Sequence, residues 1–274
     1  MDTSISSTHP SGATSSEEDF ILRLIDVHTH FESRGGIVRA VDGVTLDIRR
    51  GEILGLVGES GCGKSTLSRT IMQLEPPRSG TIVLEDLELT RLPWWKIRRQ
   101  RLNFQMVFQD PYASLNPRMT VYSTLAEAIR TRHRVSGAAL IERVGDLMER
   151  VGLERRFMKK YPHEFSGGQR QRIAVARALA PEPKLMIADE PISALDVSIQ
   201  SQILNLLQRL VRDLGLTMLF ISHDLSVVHY IADRIAVMHA GKIIELGTAD
   251  EIMNRPQQQY TQVLLEAIPR VRTR

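Results

Sequence analysis

Residues Gly58 to Ser65 read GESGCGKS, preceded by the short apolar run Glu52 to Val57 (EILGLV) and followed by a helix-compatible segment, Ser65 to Gln73. This strand, loop, helix order constrains the chain more than any other feature, because G-x-x-x-x-G-K-[ST] in that setting is a phosphate cradle. Its glycines let successive backbone N–H groups, here those of Gly58, Glu59, Ser60, Gly61, Cys62, Gly63, Lys64, Ser65 and Thr66, curl around phosphate oxygens. The amino terminus of the following helix adds partial positive charge. Lys64 is expected to reach the β and γ phosphates of a nucleotide, and Ser65 to supply an oxygen to Mg²⁺.

A second apolar strand, Leu185 to Ala188, ends in Asp189-Glu190. A carboxylate at such a tip beside a phosphate loop is placed to hold Mg²⁺ through water, which assigns Asp189 to the metal and Glu190 to polarising the attacking water. The remaining pattern fits an α/β protein with a mainly parallel sheet covered on both faces. Two or three antiparallel strands are expected from Phe20 to Ile48, then strands at Thr81 to Leu84, Phe104 to Phe108 and Thr217 to Ile221. Helices are expected at Trp94 to Arg101, after Ser166 and over Ser198 to Leu214, with a final hairpin turning at Ala240-Gly241. Helical spacing between Met119 and Tyr161 reads as an inserted helical subdomain, about residues 110 to 165.

Composition narrows the partners. The 35 basic and 32 acidic residues leave a net charge of +3 with scattered basic positions, so no nucleic-acid partner is expected. One cysteine, Cys62, excludes an internal disulfide and multi-cysteine metal sites. No apolar run reaches the roughly 18 residues of a membrane span. Met1 to Asp19 is polar and reads as a disordered tail. His28 and His30 alternate onto one strand face but lack the third and fourth ligands of a zinc site, so no metal beyond Mg²⁺ is assigned. Trp94 and Trp95 are expected to pack the helical subdomain.

Phe165-Ser166-Gly167-Gly168-Gln169 closely resembles the LSGGQ signature of ABC ATPases, with Phe for the usual Leu. Physically, Ser166 can cap the next helix while Gly167 and Gly168 leave its amino terminus bare, a second anion-binding end. Gln109 in VFQD, Ser193-Ala194-Leu195-Asp196 and His223 follow the family's order. The resemblance implies the ABC ATPase fold: a P-loop NTPase core with an antiparallel β subdomain and a helical subdomain, the cassette covering about residues 20 to 250 and a short extension 251 to 274.

It further implies ATP sandwiched between two subunits, with Ser166 to Gln169 facing the γ phosphate held by the other subunit. Gln109 would sense Mg²⁺ and the water, Asp196 would connect the two sites, and His223 would contact the γ phosphate. Phe31 occupies the position of the aromatic that stacks on adenine, although a strand Phe can equally be core.

The segments Gln105 to Pro111, Ser114 to Arg118, Ser193 to Gln200 and Gln259-Tyr260-Thr261 resemble the dipeptide, oligopeptide and nickel importer branch most. That branch implies a second ATPase subunit, a different chain being favoured over a second copy, with two transmembrane permease subunits, an external substrate-binding protein, and a place on the cytoplasmic face of a bacterial inner membrane. Peptides, nickel, glutathione and opines remain open as cargo. An accessory ATPase of a soluble enzyme complex, such as phosphonate-cleaving machinery, is the alternative.

Overall fold

The computed structural model describes residues 19–33, 36–110 and 114–267. The expected tail therefore lies outside the described residues except for Asp19, whose carboxylate accepts from Arg50 Nε at 2.8 Å. Two sheets organise the chain. The first is antiparallel, in the order β2 (Gly36–Arg49), β1 (Phe20–Ser33), β4 (Ser79–Leu84), β5 (Leu87–Glu88). The second runs β10 (Lys242–Thr248), β9 (Arg234–His239), β3 (Ile53–Val57), β8 (Thr217–Ser222), β7 (Leu185–Asp189), β6 (Phe104–Val107). All its pairings are parallel except β10 with β9.

The apolar strands of the second sheet are buried on both faces, which is why they read as continuous hydrophobic runs rather than alternating ones. Alternate residues still separate. Leu54, Leu56, Ile187, Leu219 and Ile221 join a core with Leu24, Val44, Leu46, Leu67 and Ile71, between the two sheets and α1 (Lys64–Ile71). Ile53, Val57, Met186, Ala188, Met218 and Phe220 face the opposite way. Their core continues through α3 (Val121–Arg130), α4 (Gly137–Arg150), α5 (Gly167–Leu179) and α6 (Val197–Leu214). One apolar cluster thus joins the helices of residues 121–150 to the sheet. The chain closes with α7 (Leu225–Ile231), α8 (Ala249–Asn254) and α9 (Gln259–Glu266).

The tryptophans depart from expectation. Helix α2 (Trp94–Gln100) buries none of its residues, and Trp94 is 72% exposed and Trp95 50%. They pack no core; they line a shallow surface hollow with Arg98, Arg99, Leu102 and Thr131.

Candidate nucleotide site

Parallel register carries the carboxyl ends of β3, β6, β7 and β8 to one edge, since Val57 pairs with Ser222, Asp189 with Ile221 and Val107 with Ala188. The residues just beyond those ends, Gly58, Gln109, Glu190 and His223, therefore meet in a crevice, the usual ligand position of an open α/β sheet.

The loop itself is shaped by two glycines that cannot be replaced without collision. A Cβ on Gly58 would lie 2.2 Å from the Met238 carbonyl oxygen, and one on Gly63 would lie 2.0 Å from that of Ala40. Gly63, at φ 113°, precedes α1, and no side chain caps that helix. Its first N–H groups therefore have no partner behind them. Lys64 is 4% exposed, and its Nζ donates to the carbonyls of Gly58 (2.7 Å) and Glu59 (2.8 Å). Among the described residues no carboxylate pairs with this ammonium. A buried cation beside an uncapped helix start is an arrangement that a polyanion completes, so the residues present fit a nucleotide's phosphates.

Ser65 Oγ donates to Asp189 Oδ1 at 3.3 Å and Ser68 Oγ to Asp189 Oδ2 at 3.4 Å. Burial pushes the Asp189 carboxyl above its ordinary range, the serine hydrogen bonds oppose this, and neighbouring Glu190 adds to the rise. A carboxylate made uncomfortable by burial and by a second carboxylate, with a hydroxyl oxygen against it, is a donor set that suits a hard divalent cation.

Glu190 is the hub. Its backbone is held at φ 46°, a left-handed conformation costing a non-glycine residue about 1–3 kcal/mol, and its N–H donates to the Ile221 carbonyl at 2.9 Å. That turn swings the side chain between two partners. Gln109 Nε2 donates to Glu190 Oε2 at 3.0 Å, and His223 Nδ1 lies 3.3 Å from Oε1. His223 is set by its neighbour Asp224, whose Oδ1 accepts from Ser226 N (2.8 Å) and caps α7. The carboxylate can take a proton, and its two partners fix where it points. Ser65, Gln109 and Asp189 also line a hollow of about 460 Å³ with Arg69, Phe108 and Arg177. A larger one, about 590 Å³, involves Arg50, Arg143, Arg150 and Lys184 and contains none of these residues.

Phe31 is 39% exposed, which removes the core alternative. It pairs with Val38, two residues from the Ala40 that abuts Gly63, so it stands on the strand pair flanking the loop.

The signature residues lie apart. Ser166 Oγ accepts from Gln169 N at 3.3 Å, and Gln169 Oε1 accepts from Ser166 N at 3.1 Å, a reciprocal cap on α5. Among the described residues neither Ser166 nor Gln169 bonds the phosphate loop. The expected bare helix end is thus partly capped. Gly168 is explained by packing, since a Cβ there would meet Ile199 Cγ2 at 2.4 Å, and Gly167 faces Leu195 at 3.3 Å. Those contacts set the signature against the start of α6, where exposed Asp196 precedes Val197.

One contact escaped the sequence reading: Tyr260 on α9 accepts the Glu59 N–H through its hydroxyl at 3.1 Å. Its ring lies against His239, with centroids 4.0 Å apart, and Glu245 accepts from the N–H groups of Gln257 (2.7 Å) and Gln258 (3.1 Å) to hold the approach to α9. The two residues are 201 positions apart, so only the fold reveals the contact.

Comparison with known proteins agrees with this architecture. Residues 41–193 match the family model described as ABC transporter. The chain is 49% identical over 269 residues to the oligopeptide transport ATP-binding protein AppF of Bacillus subtilis (strain 168), covering 95% of this chain and 82% of that protein. It is 49% identical over 259 residues to the oligopeptide transport ATP-binding protein OppF of Escherichia coli (strain K12), covering 91% and 78%. Among solved structures, a dimeric post-hydrolysis state of the ATP-binding cassette MJ0796 bound to ADP and Pi superposes with a TM-score of 0.76 at 29% identity, over 83% of this chain and 98% of that one. CbiO1 from Clostridium perfringens, part of the ABC transporter complex cbiONQ, gives 0.78 at 30% identity, over 87% and 92%. The chain belongs to the ABC transporter family and is one of its ATP-hydrolysing subunits.

Proposed function

We propose that this chain powers a peptide importer, and that Glu190 is its general base. The observation that carries the catalytic part is the Gln109–Glu190–His223 cluster beside the Ser65–Asp189 pair, at the mouth of an uncapped helix. The loop N–H groups and Lys64 bind the phosphates, and Phe31 stacks against adenine. Ser65, Gln109 and Asp189 would hold Mg²⁺, which would supply positive charge to neutralise the phosphate oxygens. Glu190 takes the proton of a water whose oxygen attacks the γ phosphorus as the bond to ADP breaks, while His223 contacts the γ phosphate. Tyr260 is a positioning residue that fixes the Glu59 end of the loop.

Ser166 to Gln169 complete a nucleotide held by another ATPase subunit, with Asp196 linking the two sites. In this reading a different ATPase chain is the partner rather than a second copy. The membrane subunits dock near Phe108, 41% exposed beside the site hollow, and along residues between Asp110 and Tyr161. Among the described residues no helix is long and apolar enough to cross a membrane, which suits a peripheral subunit at the cytoplasmic face. Peptide as cargo rests on the relatives, both named for oligopeptide transport; nothing in them favours the accessory-enzyme alternative.

The test is reconstitution in lipid vesicles with the membrane subunits that co-purify. The expected result is ATP-driven uptake of a labelled oligopeptide, abolished by Glu190→Gln. Recovery of the chain in a soluble enzyme complex without membrane subunits would contradict it.

A further inference from the structure

The two histidines that alternate on β1 find in the fold the ligand missing from their own strand. Antiparallel register sets Asp42 of β2 opposite His28. Register shifts on both sides of His28, with Asp26 at φ 49°, turn His28 and His30 toward that carboxylate. His28 Nδ1 lies 3.2 Å and His30 Nε2 3.8 Å from the same oxygen, Asp42 Oδ1, and one donor atom from each of the three residues falls within 4.8 Å of the others.

The hydrogen bonding of this cluster leaves a gap that a cation fills. His28 Nε2 is 3.1 Å from Asp26 Oδ1 and its Nδ1 3.2 Å from Asp42 Oδ1, and a neutral ring can donate to only one of the two; with the proton on Nε2, the Nδ1 lone pair faces a carboxylate lone pair. In that tautomer a metal ion between Nδ1 and Oδ1 relieves the repulsion that a proton on Nδ1 would otherwise relieve. His30 Nε2 is buried and has no hydrogen-bond partner. Gly43, at φ 74°, closes the cradle, since a Cβ there would lie 3.3 Å from Asp26 Oδ1 and 3.5 Å from His28 Cε1.

We propose that His28 Nδ1, His30 Nε2 and Asp42 Oδ1 bind one divalent transition-metal ion, zinc being the cation they suit best, with Asp26 orienting His28 as an outer carboxylate. Two imidazoles and a carboxylate are a zinc-type donor set, and tetrahedral zinc with bonds near 2.0–2.1 Å puts its ligand atoms about 3.3 Å apart; His28 Nδ1 already stands at that separation from Asp42 Oδ1, and His30 Nε2, at 3.8 Å, has to close in by about half an ångström. The carboxylate–histidine pair matches the outer contact that metal-bound imidazoles make. Lys242 Nζ, 3.6 Å from Asp42 Oδ2, competes for the carboxylate without occupying Oδ1. The site also reaches the phosphate loop: Asp42 N–H donates to the Gly241 carbonyl, and Gly241 N–H donates to that of Cys62. A bound ion would brace that connection.

The experiment is titration of the EDTA-stripped full chain with Zn²⁺, in excess Mg²⁺ to occupy oxygen-only sites, together with the visible absorption of the Co²⁺ form. The expected result is one Zn²⁺ per chain, a Co²⁺ spectrum of nitrogen and oxygen coordination, and a zinc-dependent rise in Tm. His30→Ala is expected to lose binding and the Tm rise. Asp26→Asn, at a side chain 76% exposed, is expected to leave the chain folded and to weaken binding about 10–100-fold, and Lys242→Met to tighten it. Absence of zinc uptake at neutral pH would overturn the proposal in favour of a protonated His28 held between Asp26 and Asp42. Undiminished binding by Asp26→Asn, or by folded His30→Ala, would overturn it equally.

Discussion

The chain contains two glycine-flanked helix starts, before α1 and before α5, and they are finished differently. At α1 the loop is moulded by its own chain, with Gly58 against Met238 and Gly63 against Ala40, a buried lysine in its mouth and no side-chain cap. At α5 the reciprocal Ser166–Gln169 cap occupies part of the helix end, Ser166 is exposed, and Gly168 serves contact with Ile199. The first has the shape and charge to receive an anion. The second is a surface whose exposed serine accepts from Gln169 and, among the described residues, donates its own hydroxyl proton to no partner. In the proposed reading the nucleotide site is therefore half of a shared one.

The largest way to sharpen the contrast is to stop the chemistry while leaving both helix starts intact. Glu190→Gln is expected to lower turnover about 10²–10⁴-fold, the usual worth of a positioned base, with ATP affinity retained; turnover at the parental rate would remove Glu190 from its role. Next, the receptor alone can be damaged. Lys64→Ala is expected to weaken ATP binding by a single chain about 10–100-fold, the worth of a charge-assisted hydrogen bond, as read by a fluorescent nucleotide titration.

Alkylation of Cys62 is expected to block the same binding by bulk. Burial pushes this thiol up, the nearby Lys64 only partly offsetting it, so the reactive thiolate is scarce at neutral pH. Labelling is expected to be slow there, to quicken as pH rises, and to be slowed by ATP; rapid labelling at neutral pH would contradict the buried placement.

Ser166→Arg separates the two ends. It is expected to cut turnover about 10-fold or more, from a lost hydrogen bond of at least about 1.5 kcal/mol to a charged group, while single-chain ATP affinity stays unchanged. Equal damage to both quantities would make α5 part of its own chain's site. Tyr260→Phe is the smallest change. Loss of one neutral hydrogen bond of about 1 kcal/mol predicts a rise of several-fold in KM with kcat unaltered; a fall in kcat alone would refute a positioning role.

The sequence carries the receptor almost completely, because a phosphate cradle is local: eight consecutive residues and their flanking strand and helix specify it. The acidic pair was readable for the same reason. That Gln109 and His223 converge on Glu190 requires parallel strands ending along one edge, a relation across 81 and 33 residues, so only their separate roles are legible, and those through the family resemblance. Asp42 as partner of His28 and His30 depends on strand register with its shifts, and Tyr260 at Glu59 on tertiary docking, so neither was visible. Trp94 and Trp95 show that apolar bulk alone does not specify burial, since their helix buries none of its residues. The packing of Gly168 against Ile199 is not legible locally either, because Ile199 lies on another helix.

The shared site is tested most directly by mass. The Glu190→Gln chain, mixed with the ATPase subunit that co-purifies with it, is weighed by light scattering in ATP and in ADP. The account predicts a two-chain particle in ATP that falls to single chains in ADP and fails to form when Ser166→Arg is added. Single chains in saturating ATP, or a pair indifferent to Ser166→Arg, would contradict it.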